Sequence, residues 1–313
     1  MGGASDLVKE IVAGGALTDP AWRAAFAEVP RELFVPYYYT VSPGGARERL
    51  WRDDPDPRRR ERWREGVYDD VPLATRMRDG ELISSSSQPS LMARMLEALE
   101  AGDGMSVLEI GTGPGYNAAL LSHRLGDSRV TTMDLDPDIT EAARAHLAAA
   151  GYRPRVVTGN GARGCPAHAP YDRIIATCAL PRVPEAWPEQ CAPGALVLAP
   201  IATGLLRLRV TDARRATGRF LGTPAFFVPL RGGGPATPTG QAAAAATEPS
   251  APTAGASGAS GASGEEDRDA EEAEVPRRVL RDDSFRFLLT LSGGSLDPPR
   301  AYALWRRAGR PTR

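Results

Sequence analysis

The stretch VLEIGTGPGYNAALL, residues 107–121, limits the fold more than any other part of the chain. A short apolar run ends at Ile110, passes through Gly111, Gly113 and Gly115, and gives way at once to a helical pattern. Glycine lets a backbone turn tightly and approach a ligand with no side chain between them, so a strand, a glycine turn and a helix in this order mark the ligand-binding crossover of an open α/β sheet. The neighbouring sequence agrees. RVTTMD, PRVVTG, YDRIIAT and ALVLAPI are short apolar runs rich in β-branched residues, and helical stretches such as ITEAARAHLAAA separate the earlier ones. That alternation predicts a mostly parallel sheet with helices on both faces between residues 103 and about 230.

The rest of the chain is read around that core. With 313 residues, 42% of them hydrophobic, it can bury one sizeable core and carry a smaller appendage. Residues 1 to about 40 show helical apolar faces through Leu7, Ile11 and Val12 and then Trp22, Phe26 and Val29, and they predict a cap. The full N-terminal region, 1–102, is expected to be a helical cap with an insertion at 42–66, SPGGARERLWRDDPDPRRRERWREG. That insertion holds eight arginines and six acids around Trp51 and Trp63, the pattern of a solvated surface segment or else of a lid or docking surface for an acidic peptide. Residues 231–275 are Gly, Ala, Ser, Pro and Thr followed by EEDRDAEEAE, without one aromatic residue, and are expected to be a disordered linker. Residues 276–313 regain apolar content in DSFRFLLTLSGG and RAYALWRR and are expected to add a strand and a short helix to the main domain.

Composition narrows the function classes. A formal net charge of −1 gives no reason to expect a nucleic-acid or membrane binder. Cys165, Cys178 and Cys191 form no C-x-x-C pair, only His123, His146 and His168 could join them, and no metal set is expected. No apolar run is long enough to span a bilayer and no leader pattern precedes the first helix, so the cytoplasm is the expected compartment.

Ahead of the glycine turn lies SSSSQPSLMARML, residues 84–96. Leu91, Met92, Met95, Leu96 and Leu99 give one helical stripe, and Pro89 suits a first helical turn. The serines therefore read either as caps of that helix or as part of a carboxylate or phosphate site at its N-terminus. In the glycine turn the spacing is G-x-G-x-G, whereas a pyrophosphate fingerprint wants its third glycine at residue 116, a tyrosine. Asp134, nineteen residues after Gly115, is placed to accept hydrogen bonds from ribose hydroxyls. A nucleoside without a diphosphate fits this set, and S-adenosylmethionine is the ligand expected. A nicotinamide-dependent oxidoreductase and a non-catalytic peptide-binding protein are the alternatives.

Taken together, VLEIGTGPGYNAALLSHRLG, VTTMDLDPDI, VVTGNGARG, YDRIIATCALPRVPEAWPEQCAPGALVLAPI, VYDDVPL with SSQP, and FFVPL resemble the protein-L-isoaspartate O-methyltransferases over residues 5–230. The resemblance implies a Rossmann-like class I methyltransferase fold and S-adenosylmethionine as methyl donor. It also implies roles. Glu109, Gly111, Gly113 and Gly115 would line the donor's methionine and ribose portions, Asp134 would bind the ribose, and Asn160 with Gly161 would stand where the family carries Asp-Gly against adenine. Ser87 would lie beside the substrate carboxylate. Two departures stand out, Asn160 itself and TRMRDGELISSS in place of a glycine-rich stretch. The serine run, the arginine-rich insertion and the tail resemble a subgroup that accompanies ATP-grasp peptide maturases. The expected reaction is accordingly methyl esterification of an aspartate-type carboxylate on a ribosomally made peptide, leading on to a succinimide, with repair of isoaspartyl proteins as the alternative. The expected partner is a peptide or protein bearing that carboxylate. Oligomeric state is left open.

Overall fold

The computed structural model describes residues 3–42 and 45–232, with 279, 298, 299 and 302 as isolated positions. The chain divides into two compact units, Met1–Pro235 and Ala236–Arg313. The expected linker, beyond its first two residues, and the expected C-terminal extension, apart from those four positions, lie outside the described residues.

A seven-stranded sheet forms the centre of the first unit. Its strands are β5 (Val107–Ile110), β6 (Val130–Asp134), β7 (Arg155–Thr158), β8 (Tyr171–Ala176), β9 (Cys191–Ile201), β10 (Gly204–Asp212) and β11 (Arg215–Pro224), in the spatial order β11-β10-β9-β8-β5-β6-β7. The pairs from β7 across to β9 are parallel. The last two strands add an antiparallel hairpin at the β9 edge. All five strands expected from the apolar runs are present. The order reverses at β5, whose two neighbours lead to opposite ends of the sheet, and ligands of open α/β sheets bind at such a point, outside the carboxyl ends of the strands. Helices α5 (Tyr116–Leu125) and α6 (Pro137–Ala149) come after β5 and β6.

The N-terminal region differs from the expected helical cap. Helices α1 (Ala4–Ala13) and α2 (Pro20–Glu28) bury Leu7, Ile11, Trp22 and Phe26 as anticipated. After them the chain builds a second sheet, ordered β2-β1-β3-β4, from β1 (Tyr37–Val41), β2 (Arg47–Trp51), β3 (Leu73–Arg78) and β4 (Glu81–Ser86). The arginine-rich insertion is thus built structure. It supplies β2 and α3 (Pro57–Val67), and α3 buries Trp63 and Val67, with Trp63 Nε1 donating to the Val35 carbonyl at 3.0 Å. Its charges are solvated on the other sides of the helix, which is why the run reads as a surface from composition alone.

Helix α4 (Pro89–Leu99) joins the two parts. Met92, Met95, Leu96 and Leu99 are buried, and each contributes about 1.5 to 3 kcal/mol for the surface it takes from water. The serines before it do not cap it. Ser84, Ser85 and Ser86 belong to β4, and Gln88, at the N-cap, makes no side-chain capping bond. The helix end is capped by Asp70, which accepts from the Ser90 backbone N–H at 2.7 Å and from Gln88 Nε2 at 3.2 Å.

The rim around these serines is held by Arg31, which is fully buried. Its Nη1 donates to the carbonyls of Val67 and Asp69 at 2.9 and 3.0 Å, and Nη2 to those of Val71 and Ser87, both at 3.2 Å. Nε and Nη2 also reach Ser86 Oγ at 3.4 Å. Burial lowers its pKa to about 10, while Tyr116, Asp70 and Asp69 favour the charged form. Replacing Arg31 by methionine takes the donor from the buried Val67 carbonyl and from the part-buried Val71 and Ser87 carbonyls, so the variant is expected to lose about 3 kcal/mol or more of stability in urea denaturation. Lysine should recover only part of this, because a point-charge ammonium cannot copy the fork. A methionine variant as stable as the parent would show that the rim does not depend on Arg31.

Candidate active site at the carboxyl edge of the sheet

A cleft with about 800 Å³ of space, its open mouth included, lies at the switch point. One wall is the glycine turn. Gly111 has φ +104°, and a Cβ there would stand 2.7 Å from Thr177 Oγ1, so the position admits only glycine. The Gly113 N–H donates to Asp134 Oδ2 at 3.2 Å. The opposite wall is Ser84–Ser87 with Ile83 and Met92, and the far side is closed by Val228–Arg231. That last segment is stitched to the chain after β8, where Ala179 N–H donates to Val228 at 2.9 Å and Leu230 N–H to Ala179 at 2.8 Å.

Two carboxylates meet in this cleft. Glu109 sits on β5 with no exposed surface, and accepts from Asn117 Nδ2 at 2.7 Å and Thr132 Oγ1 at 2.6 Å. Burial pushes its pKa up to about 7; the two hydrogen bonds oppose the shift and the Asp134 charge adds to it. Asn117 Oδ1 is buried without a partner beside it. Asp134, at the carboxyl end of β6, is paired with Arg231 Nη2 at 3.1 Å, and Arg231 Nη1 stands 3.8 Å from Asp136. Arg78 on β3 also holds Asp136, at 2.9 Å, and Arg76 holds Asp138 at 2.6 Å, so the small sheet is pinned to the start of α6 over the cleft.

Of the residues singled out in the sequence, Ser87, Glu109, Gly111, Gly113, Asp134 and Gly161 all line this cleft. Gly161 packs under Ile110, where a Cβ would come within 2.6 Å of Ile110 Cγ2. Gly115 and Asn160 are not among the lining residues. Gly115 opens α5 and packs against Ala143 and Leu147 of α6. Asn160 turns its side chain to the Ala162 N–H at 2.9 Å and to the Gly232 carbonyl at 2.7 Å. Of the four serine hydroxyls, Ser84 Oγ contacts Thr75 Oγ1 at 3.2 Å and Ser86 Oγ serves Arg31. Ser85 and Ser87 are half-buried, and neither hydroxyl has a hydrogen-bond partner among the described residues. Sequence reasoning missed Arg31 and Arg231, whose contacts span 36 to 56 and 97 residues respectively. No spacing rule reaches that far.

The lining suits a nucleoside donor. An acid at the end of the second strand of the motif, a backbone turn stripped of side chains and an unpartnered buried amide oxygen provide acceptors for hydroxyl and amine groups. Comparison with known proteins agrees. Residues 58–233 match the family model Protein-L-isoaspartate(D-aspartate) O-methyltransferase (PCMT). A protein-L-isoaspartate O-methyltransferase of Hyperthermus butylicus is 33% identical over 239 residues, covering 72% of this chain and 87% of that one. A solved protein-L-isoaspartate O-methyltransferase is 28% identical with a TM-score of 0.58, covering 72% of this chain; this chain spans 65% of that one. A Plasmodium falciparum protein in complex with S-adenosyl-L-homocysteine, 14% identical with a TM-score of 0.56 and covered over 99% of its length against 74% here, shares the fold.

The two carboxylates carry separate expectations. Removing Asp134 as alanine should weaken S-adenosylmethionine binding by about 1.5 to 3 kcal/mol through the lost charge-assisted acceptor, whereas Arg231→Ala should tighten it, since the acid no longer has to leave an ion pair. Calorimetric titration of both variants reads this, and equal affinities across the set would remove Asp134 from the donor site. For Glu109 the sign is set by a folded-state pKa of about 7 against an ordinary 4.5. The folded protein binds the extra proton between those values, so the group's contribution to stability falls as pH rises through that window and levels off above it. Glu109→Gln should therefore raise the melting temperature more at pH 8 than at pH 5. A gain that is the same at both would place the carboxyl in an ordinary environment.

Proposed function

This chain belongs to the protein-L-isoaspartate O-methyltransferase family, and from that premise we infer that it methylates the side-chain carboxylate of an isoaspartyl residue in a polypeptide. It is an S-adenosylmethionine-dependent carboxyl O-methyltransferase, which sets aside the oxidoreductase and the non-catalytic alternatives. The observation that carries the substrate reading is the division of labour at Ser87. Its carbonyl is locked by Arg31, while its hydroxyl, on a residue that lines the cleft with Glu109 and Asp134, has no hydrogen-bond partner among the described residues.

The chemistry asks little of the protein beyond placement. S-adenosylmethionine, when bound, supplies a sulfonium methyl group with its own leaving group. A carboxylate with a pKa near 4 is already ionised at neutral pH, so no residue has to act as general base. What the chain supplies is orientation and exclusion of water, which together can contribute about 7 to 11 kcal/mol. Ser87 Oγ, and Ser85 Oγ beside it, can each donate one hydrogen bond to a carboxylate oxygen while leaving the lone pair of the other free to react. The methyl ester formed is then open to attack by the next backbone nitrogen, which expels methanol and closes a succinimide.

The helix N-terminus plays a smaller part than the sequence implied. Asp70 already takes the Ser90 N–H, so the hydroxyls rather than the helix end are left to meet the substrate. The finer expectation of a ribosomally made peptide modified by an ATP-grasp enzyme rests on the serine run, the insertion and the tail. The relatives named with the site favour the isoaspartyl substrate instead, and a direct comparison decides it.

Purified protein is offered S-adenosylmethionine with an isoaspartyl peptide and with its ordinary aspartyl counterpart. Mass spectrometry is expected to show one added methyl and then loss of methanol on the isoaspartyl peptide alone; methylation of the aspartyl peptide alone would overturn the reading. Ser87→Ala should keep donor affinity and lower kcat/KM by about 1 to 3 kcal/mol of transition-state stabilisation. Ser87→Asp should reject the substrate through like charge. An active Ser87→Asp enzyme would remove Ser87 from the carboxylate site.

A further inference from the structure

The small sheet has two unlike faces. Tyr38, Leu50, Leu73 and Ser86 are buried on one side, and the register pairs Tyr38 with Leu50 and Leu73 with Ser86. Residues directly opposite on antiparallel strands share a face and the faces alternate along each strand, so pairs an odd number of residues from these lie on the outer side. There Trp51 faces Tyr37, Arg47 faces Val41, and one row crosses all four strands as Arg49, Tyr39, Ala74 and Ser85. The Arg49 guanidinium lies 5.6 Å from the centre of the Tyr37 ring and 5.2 Å from that of Trp51, and Tyr37 meets Tyr39 edge to face at 6.1 Å. Trp51 keeps 37% and Val41 57% of its surface exposed.

Charge on this face is one-sided. The arginines of α3 that reach toward β2 are consumed, Arg59 by Glu48 and Asp54 and Arg62 by Glu48. Arg47 and Arg49 have no carboxylate partner among the described residues. Stacked aromatic rings with unpaired arginine are the groups that dominate binding energy at protein interfaces, and the unpaired charge selects an acidic partner. The row ends at Ser85 in the cleft wall. Three strand spacings put Arg49 about 14 Å from Ser85, the reach of about four residues of extended chain.

We propose that the outer face of this sheet, centred on Arg47, Arg49, Tyr37 and Trp51, is a docking strip for acidic residues of the polypeptide substrate, about four residues from the carboxylate that is methylated. The proposal rests on the isoaspartyl substrate reading. It makes the enzyme select its targets by flanking charge.

Two isoaspartyl dodecapeptides differing only in glutamate or glutamine, placed four to six residues from the isoaspartate, test it. Wild type is expected to show a KM about tenfold lower for the glutamate peptide. Arg47→Glu/Arg49→Glu should raise that KM to the level of the glutamine peptide, with Arg49→Gln as a milder variant should the double reversal melt early. A charge-matched reversal at Arg215 and Arg219 on β11, both exposed, should retain the preference. Anisotropy of the labelled glutamate peptide without methyl donor reads docking apart from turnover. The proposal is overturned if wild type shows no preference, or if both double reversals lose it equally. Acidic-peptide binding through Arg47 and Arg49 without methylation of any isoaspartyl peptide would fail the substrate reading and keep the docking strip.

Discussion

A guanidinium buried among backbone carbonyls holds the rim of the cleft, and the rest of the site takes its shape from that contact. Arg31 has no carboxylate in hydrogen-bond contact among the described residues. Four carbonyls and one hydroxyl satisfy its donors, and the aspartates nearby offset part of the cost of burying its charge. Through these bonds the segment 67–71, between α3 and β3, is fixed against Ser86 and Ser87, and with it Asp70 is brought to the start of α4. Tyr116, the first residue of α5, completes the link. Its ring lies 6.0 Å from the guanidinium and 5.6 Å from the Phe34 ring, so the glycine turn and the N-terminal region share one anchor.

The two walls of the cleft are built on different physical terms. The wall at the sheet edge carries two carboxylates, Glu109, whose burial pushes its pKa up to about 7, and Asp134, paired with Arg231. The serine wall is polar and rich in hydroxyls, with Ser84 and Ser86 buried and Ser85 and Ser87 half-buried. Ion pairs from Arg76 and Arg78 to Asp138 and Asp136 tie the second wall to the first, and being partly exposed they contribute registration more than stability. Arg231 stands at the junction, immediately after the last residue of the expected methyltransferase domain.

How much of this could be read from the sequence depended on the kind of signal. The five parallel strands, the glycine turn and Asp134 were legible because apolar runs and fixed offsets are local. The small sheet was not. Its strands are YYYTV, RERLW, LATRMR and ELISSS, with few β-branched residues, and their pairing rather than their propensity makes them strands. Serines in particular read as loop or cap, and here three of them are a strand. Trp63 and Val67 show the reverse case, two buried side chains inside a helix whose other residues are almost all charged or polar. Asn160 stands beside the cleft and not in its lining, because backbone motifs locate a turn but not the direction of its side chains, and Gly115 is taken up in packing against α6.

Arg31 grips carbonyls, and every residue type carries one. The chemistry of the rim can therefore change at Asp69, Val71 or Ser87 without loosening the clamp, provided the backbone path is kept. Side-chain identity around the substrate opening is in this way uncoupled from the stability of the opening. A lineage with this architecture can trial new substrates by point substitution at the rim while its folding free energy stays nearly constant, which is a property of the contact's chemistry and not of any one substrate.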